Sequence, residues 1–361
     1  MPAATAAPPA PPRAATSPKP AAAPAALLPP RQLDAPGEAA GDADAMAALA
    51  AGLARPASRK RLPCSFLYDA AGSKLYDAIT ELDEYYPYKA EAGLLAAHAR
   101  AIVDSLPAGA VLVELGCGSA TKTGTLVAAF AEARGAPQAR YVGVDCSADF
   151  LAAAETNLAA AAPGAAVQTV CCLYEAAGAA AAALHPGAPL VFLWLGSSVG
   201  NLPPADAASL MRGCMAAGGP GSAVLLATDL WKAEARMRAA YDDAAGVTAA
   251  FMRNGLAHAL ACLPGGAAAA AAAGAGPAAW AYGVDLGGEE TSVRMFLTCP
   301  AAFAVPGGAG IAFAAGERVL METSRKFTGA SIDVLAAASG AAVAARWASA
   351  DYALQLLTRA E

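Results

Sequence analysis

The sequence predicts an α/β protein: a doubly wound, Rossmann-like sheet interrupted by a second, inserted α/β domain. Three observations predict it. Five short apolar runs recur at helix-length spacing, "AVLVEL" (110–115), "RYVGVD" (140–145), "AVQTVC" (166–171), "PLVFLWL" (189–195) and "SAVLLATD" (222–229). Runs that are apolar on both faces belong to a parallel sheet covered by helices on both sides. The first run ends in Glu114-Leu115 and breaks into Gly116-Cys117-Gly118, a backbone that turns tightly and admits a ligand closely. The closing block "ARWASADYALQLL" (345–357) reads as a final pair of strands for the same sheet.

In chain order, residues 1–33 hold no acid before Asp34 and too much proline for helix or sheet, so residues 1–45 are expected to be a disordered Ala/Pro-rich tail. Its lack of acids keeps organelle targeting open beside a cytoplasmic location. Residues 46–230 and 325–361 then form the ligand-binding domain, with an N-terminal lid segment around "EYYPY" (84–88), and residues 231–324 form the inserted substrate-binding domain. Arg59-Lys60-Arg61 is read as a solvated linker, and "GGAAAAAAAGAGPAA" (265–279) as a low-complexity insertion without a functional account.

Composition excludes several classes of function. Of the 361 residues 57% are apolar, yet no run of large apolar residues reaches the roughly 18–20 needed to span a bilayer. A net charge of −6 is the wrong sign for a protein that grips phosphates, so no nucleic-acid partner is expected. Eight cysteines without C-x-x-C spacing and three scattered histidines fit neither a disulfide framework nor a metal site, and point to a reducing compartment. A monomer acting on a small molecule is expected.

Ligands of such sheets bind beyond the carboxyl ends of the strands. A dinucleotide fingerprint needs a third glycine where this chain has Thr121. Glu114 with the E-x-G-x-G form suits S-adenosylmethionine, a sulfonium whose ammonium group welcomes a carboxylate, and Asp145 ends the second run where an acid accepts ribose hydroxyls. A purely structural Glu114 and a nicotinamide-dependent dehydrogenase stay open at this point.

Further blocks carry a resemblance. "LPCSFLYDAAGSKLYDAITELDEYYPYKAEAGLL" (62–95), "VELGCGSATKT" (113–123), "FLWLGSSVGNL" (192–202), "LLATDLWKAEARMRAAYDDAAGVTAAFMRN" (225–254) and "METSRKF" (321–327) together resemble the histidine-specific methyltransferase family, from about residue 60 to the end. Those enzymes use S-adenosyl-L-methionine to trimethylate the α-amine of L-histidine to hercynine, the precursor of ergothioneine. The resemblance implies that Tyr68, Tyr85, Asn201, Tyr241, Met295, Glu322 and Ser324 contact the substrate, with Tyr68 and Asn201 at the reacting amine. It implies that Gly116, Gly118, Lys122, Asp145 and Tyr174 hold the cofactor; Tyr76 stands where the family often has phenylalanine.

Some of this is legible independently. In a strand over 318–324, alternation puts Glu322 and Ser324 on one face, a carboxylate and a hydroxyl able to share imidazole protons. The Asn201 amide offers an oxygen to an amine and an NH₂ to a carboxylate. One departure stands out: where the family places an adenine-binding acid after the third strand, this chain has Leu173. Rival readings are N-methylation of another amino acid or a tryptophan-derived amine, and a non-catalytic S-adenosylmethionine-binding relative.

Overall fold

The computed structural model describes residues 38–288, 291–307 and 310–360, with side-chain surroundings from residue 43. Most of the expected tail therefore lies outside the described residues. Residues 38–45, assigned to that tail from sequence, open a helix instead.

In chain order the elements are α1 (Glu38–Leu53), α2 (Ala70–Glu81), α3 (Tyr86–Asp104), β1 (Val111–Leu115), α4 (Gly124–Arg134), β2 (Arg140–Asp145), α5 (Ala148–Ala161) and β3 (Ala166–Cys171). Then come α6 (Tyr174–Leu184), β4 (Leu190–Trp194), α7 (Pro204–Ala217), β5 (Ala223–Asp229), α8 (Glu234–Tyr241), α9 (Val247–Cys262) and α10 (Gly266–Ala272). The remainder comprises β6 (Ala281–Gly287), β7 (Ser292–Thr298), β8 (Phe303–Ala304), β9 (Ala312–Phe313), β10 (Arg318–Arg325), α11 (Gly329–Ala338), β11 (Ala341–Ala348) and β12 (Tyr352–Arg359).

The main sheet runs β11-β12-β5-β4-β1-β2-β3. Strands β1–β5 are parallel, and β12 and β11 close the edge antiparallel, as the terminal block predicts. All five residues of β1 and of β4 are buried, because alternate side chains enter two different cores. Leu112, Val191, Leu193 and Leu225 pack with α3–α5, while Val111, Val113, Phe192 and Leu226 pack with α6, α7 and α11. Chain order reverses between β1 and β4, which opens the crevice at their carboxyl ends where this architecture binds ligands.

A second core lies beside that edge. The antiparallel sheet β10-β7-β6 buries Met321, Met295 and Val284 against Phe251, Leu256 and Leu260 of α9. Helix α1 and the stretch before α2 join this core, with Leu49, Leu53, Leu62, Phe66 and Leu67 as members, whereas α3 packs on the main sheet. Asp69 caps α2 by accepting from the Gly72 amide at 2.7 Å, and receives the Asn254 amide of α9 at the same distance.

Two sequence expectations are corrected here. Lys60 is not a solvated linker residue. The stretch around Arg61 runs along β10, with Leu62 N donating to Leu320 O and Leu320 N to Lys60 O, both at 2.9 Å, and this carries Lys60 inward to a buried ion pair with Glu317 at 2.7 Å. The alanine-rich stretch is not a loose insertion either; it folds as α10, and Ala270 and Ala275 are wholly buried in the second core. Small side chains let that helix pack closely.

The two cores meet along β10. Past its end, Phe327 N donates to Asp229 O at 2.8 Å and Trp231 N to Phe327 O at 2.9 Å, so the same segment pairs in the small sheet and then with the end of β5. The buried Arg325 guanidinium donates to the carbonyls of Val199 (3.3 Å) and Leu202 (3.1 Å) in the turn after β4. Gly200 makes that approach possible, since a methyl there would stand 2.6 Å from Arg325 O. Gly200→Ala is accordingly expected to force the turn off β10 and to cost about 1–3 kcal/mol, read as a lower denaturant midpoint at unchanged m-value.

Candidate active site

The crevice has a glycine-loop side and a β10 side. On the first, Gly116 and Gly118 take left-handed conformations (φ +68° and +51°), and a side chain on Gly118 would project into open space rather than into protein. Asp145, at the end of β2, accepts from the amides of Gly118 and Ser147, each at 2.9 Å, and so fixes the loop's curvature. Burial lifts the Asp145 carboxyl above its ordinary range while those amides pull it back. Tyr174, the first residue of α6, lies against Gly116, where an added methyl would meet its hydroxyl at 2.4 Å, and its ring meets Trp194 edge-on at 6.3 Å.

Glu114 takes an internal place. Its two carboxylate oxygens receive the hydroxyls of Thr123 (2.6 Å) and Tyr141, and burial raises its carboxyl to about 7. It braces the loop from beneath. Lys122 reaches Glu91 at 3.0 Å and lies over the Tyr88 ring at 5.5 Å. Glu91, wholly buried on α3, also accepts from the Gly196 amide (2.9 Å) and the Tyr352 hydroxyl (2.7 Å), which ties the loops after β1 and β4 to β12. Nothing in its sequence surroundings distinguishes it from a surface acid on a helix.

On the β10 side the expected substrate residues converge. Asn201 closes the turn after β4 and donates its amide to Glu322 Oε1 at 2.9 Å. Met295 stands directly across from Glu322 on β7, so the two share a face. Ser324 lies 3.1 Å from the Tyr241 hydroxyl, and Tyr241 meets Tyr85 edge-on at 5.9 Å. Tyr68 packs edge-on against Tyr76 (5.7 Å) and Phe251 (5.5 Å). Burial, then the charge of Glu322, pushes the Tyr68 hydroxyl well above its ordinary value; burial and the neighbouring Tyr76 do the same to Tyr85. These tyrosines stay protonated near neutrality and act as hydrogen-bonding hydroxyls. Burial likewise raises Glu322 to about 7, against the pull of Lys326.

Beneath this face runs a charged network that the sequence did not signal. Lys326 pairs with Asp229 at 2.7 Å with both side chains wholly buried, and Lys232 also engages Asp229 while donating to the Tyr86 hydroxyl at 2.8 Å. Leu173 is where the sequence put it, at the head of α6, and is one of two large apolar side chains exposed among the described residues. Glu175 sits exposed in the first turn of that helix.

Comparisons with known proteins identify the family. The family model described as histidine-specific, S-adenosylmethionine-dependent methyltransferase matches residues 45–359. A histidine N-alpha-methyltransferase of Mycolicibacterium smegmatis is 36% identical over 308 residues, covering 84% of this chain and 92% of that protein. One of Mycobacterium tuberculosis is 39% identical over 198 residues, 55% of this chain and 60% of that one. An L-tryptophan methyltransferase of Psilocybe serbica is 39% identical over 92 residues, 24% of this chain and 26% of that one.

Glu322 gives this site a measurable pH signature. With a folded value near 7 against an ordinary 4.5, the native chain holds the proton through a window in which the unfolded chain has lost it. Stability therefore falls as pH rises from about 4.5 to about 7. Glu322→Gln removes that contribution, so its stability relative to wild type is expected to improve by up to ~3 kcal/mol across the window, measured by denaturant titrations at pH 4.5 and 8.

Proposed function

The chain belongs to the histidine-specific, S-adenosylmethionine-dependent methyltransferase family, and from that premise we propose that it transfers three methyl groups to the α-amine of L-histidine, giving hercynine for ergothioneine synthesis. The observation that carries this reading is the Asn201–Glu322 hydrogen bond at 2.9 Å. It joins the turn after β4, where a methyltransferase sheet receives its nucleophile, to the strand face that carries a carboxylate and a hydroxyl suited to imidazole.

The crevice suits the cofactor. Left-handed glycines, open space at Gly118, and Asp145 at the end of β2 form a cradle for a nucleoside with a charged tail, with Tyr174 closing one wall and Lys122 within reach of a carboxylate. S-adenosylmethionine supplies an electrophilic methyl group on a sulfonium. The protein's own work is then to orient an amine lone pair and to shed water from it. Asn201 and Tyr68 hold the amine, Tyr85 and Tyr241 the carboxylate end, and Met295, Glu322 and Ser324 the ring. In this reading the sheet contributed by residues 46–230 and 325–361 carries the cofactor, residues 231–324 supply substrate contacts, and the substrate lies between them.

The amine must lose a proton before each transfer that begins from a protonated form. With their hydroxyls raised by burial, Tyr68 and Tyr85 pass that proton on as relays that accept and donate together, toward solvent. Eight cysteines without the spacing of a disulfide framework or a metal site fit a cytoplasmic setting. Among the described residues no single helix is long and apolar enough to cross a membrane.

Mass spectrometry of the purified chain with S-adenosylmethionine and each common amino acid tests the proposal. Histidine alone is expected to gain three methyl groups, and Glu322→Ala is expected to lower its kcat/KM at least ~100-fold, because a site built around a ring N–H rejects what it no longer matches. Equal methylation of histidine and other amino acids, or turnover unaffected by Glu322→Ala, would contradict it.

A further inference from the structure

The small sheet has a second face. Met295, Glu322 and Ser324 look inward, so their strand neighbours Arg294, Phe296 and Thr323 look out, joined by Leu320 directly across from Phe296. On this outer side a cavity of about 530 Å³ lies between the sheet and the strap of residues 57–60, lined by Arg59, Arg294, Arg318, Asp285, Phe296 and Leu320. The sheet itself separates it from the crevice. Its charges are only partly paired. Lys60 is held by Glu317 at 2.7 Å and Arg318 by Asp285 at 3.1 Å, and the Arg318 guanidinium stands 3.8 Å from the centre of the Phe296 ring. Arg59 and Arg294 have no ion pair or hydrogen-bond acceptor among the described residues, and Arg294 Nε is buried without one. An N–H shut away from water with no acceptor is costly. Because no bond fixes that guanidinium, turning it into the cavity gives up nothing.

We propose that this cavity binds a small phosphomonoester, with Arg59 and Arg294 as donors to its phosphate and the Arg318–Phe296 stack as the floor beneath its organic part. Two uncompensated guanidinium charges meet here in a chain whose net charge is −6. A phosphate dianion answers both with one group, whereas a carboxylate supplies a single charge, and the guanidinium fork matches phosphate oxygens in pairs. The volume falls within the ~300–1,000 Å³ of small-molecule sites and exceeds what a bare phosphate fills, which leaves room for the body of the ester over Phe296 and Leu320. The cavity backs onto the strand that carries Glu322 and Ser324, since Arg294 stands across from Thr323 between them. The inference does not rest on the histidine reading and concerns a different face of the protein.

Calorimetric titration of ribose 5-phosphate into the full chain at low salt, with S-adenosylhomocysteine present in excess to occupy the crevice, tests the proposal. One equivalent is expected to bind with a Kd below ~1 mM. Arg294→Gln and Arg59→Gln are each expected to weaken it at least ~10-fold, because each removes a charged donor. Arg59 is exposed on the strap, so its variant keeps the test decisive should Arg294→Gln not fold. Asp285→Asn, which frees Arg318, is expected to tighten binding at least ~2-fold. Inorganic phosphate is expected to bind more weakly than the ester; equal affinity would overturn the part given to Phe296 and Arg318. No saturable binding, affinity unchanged in the folded arginine variants, or succinate binding as tightly as the ester would overturn the site.

Discussion

The buried ion pair between Asp229 and Lys326 is the contact on which the rest of the site depends. Asp229 is the last residue of β5 in the main sheet, and Lys326 follows β10, a strand of the second sheet. Neither charge reaches water, so each is tolerable only because the other is there; losing one partner of such a pair typically costs about 3–5 kcal/mol. With that distance set, Phe327 pairs with the end of β5, Arg325 grips the turn after β4, and Gly200 lets the two backbones touch. Asn201 and Glu322 then face one another across the seam as a consequence of register rather than of their own attraction.

The same seam explains why the site is polar and largely buried at once. Its tyrosines come from the N-terminal segment, the start of α3 and the end of α8, each anchored in the second core. Packed hydroxyls with raised pKa values keep their protons and orient a ligand without carrying charge into the crevice. On the β10 side charge lies on Glu322 and, below it, on the cluster in which Lys232 and Lys326 share the Asp229 carboxylate. In the proposed reaction such fixed dipoles would stabilise the amine without reorganising during the step.

Much of the frame was legible in sequence because parallel strands buried on both faces leave continuous apolar runs; each of the five runs contains one of β1–β5. The alternation that puts Glu322 and Ser324 together was legible too, although a register shift lies between Leu320 and Glu322, just ahead of them. What was hidden was buried charge. Lys60 read as a solvated residue, and Glu91 and Lys326 drew no reading of their own, because local sequence is silent about partners such as Glu317, Tyr352 and Asp229, which lie 257, 261 and 97 positions away in the chain. Glu114 was legible as important but not in its role, since its partners Thr123 and Tyr141 become visible only when the strands are paired. The alanine-rich stretch misled for the opposite reason: its composition resembles filler, yet alanine is the side chain that lets α10 close on the second core.

The most direct test of the seam as a histidine site is calorimetric titration of L-histidine and of L-alanine into the wild-type chain saturated with S-adenosylhomocysteine. The two ligands share the amine and carboxylate that Asn201 and Tyr241 would hold, and differ in the ring that Glu322 and Ser324 would read. Binding of histidine at least ~100-fold tighter than alanine is the predicted result, on the order of 3 kcal/mol from the ring alone. Equal affinities would contradict the account, because the β10 face would then contribute nothing to recognition.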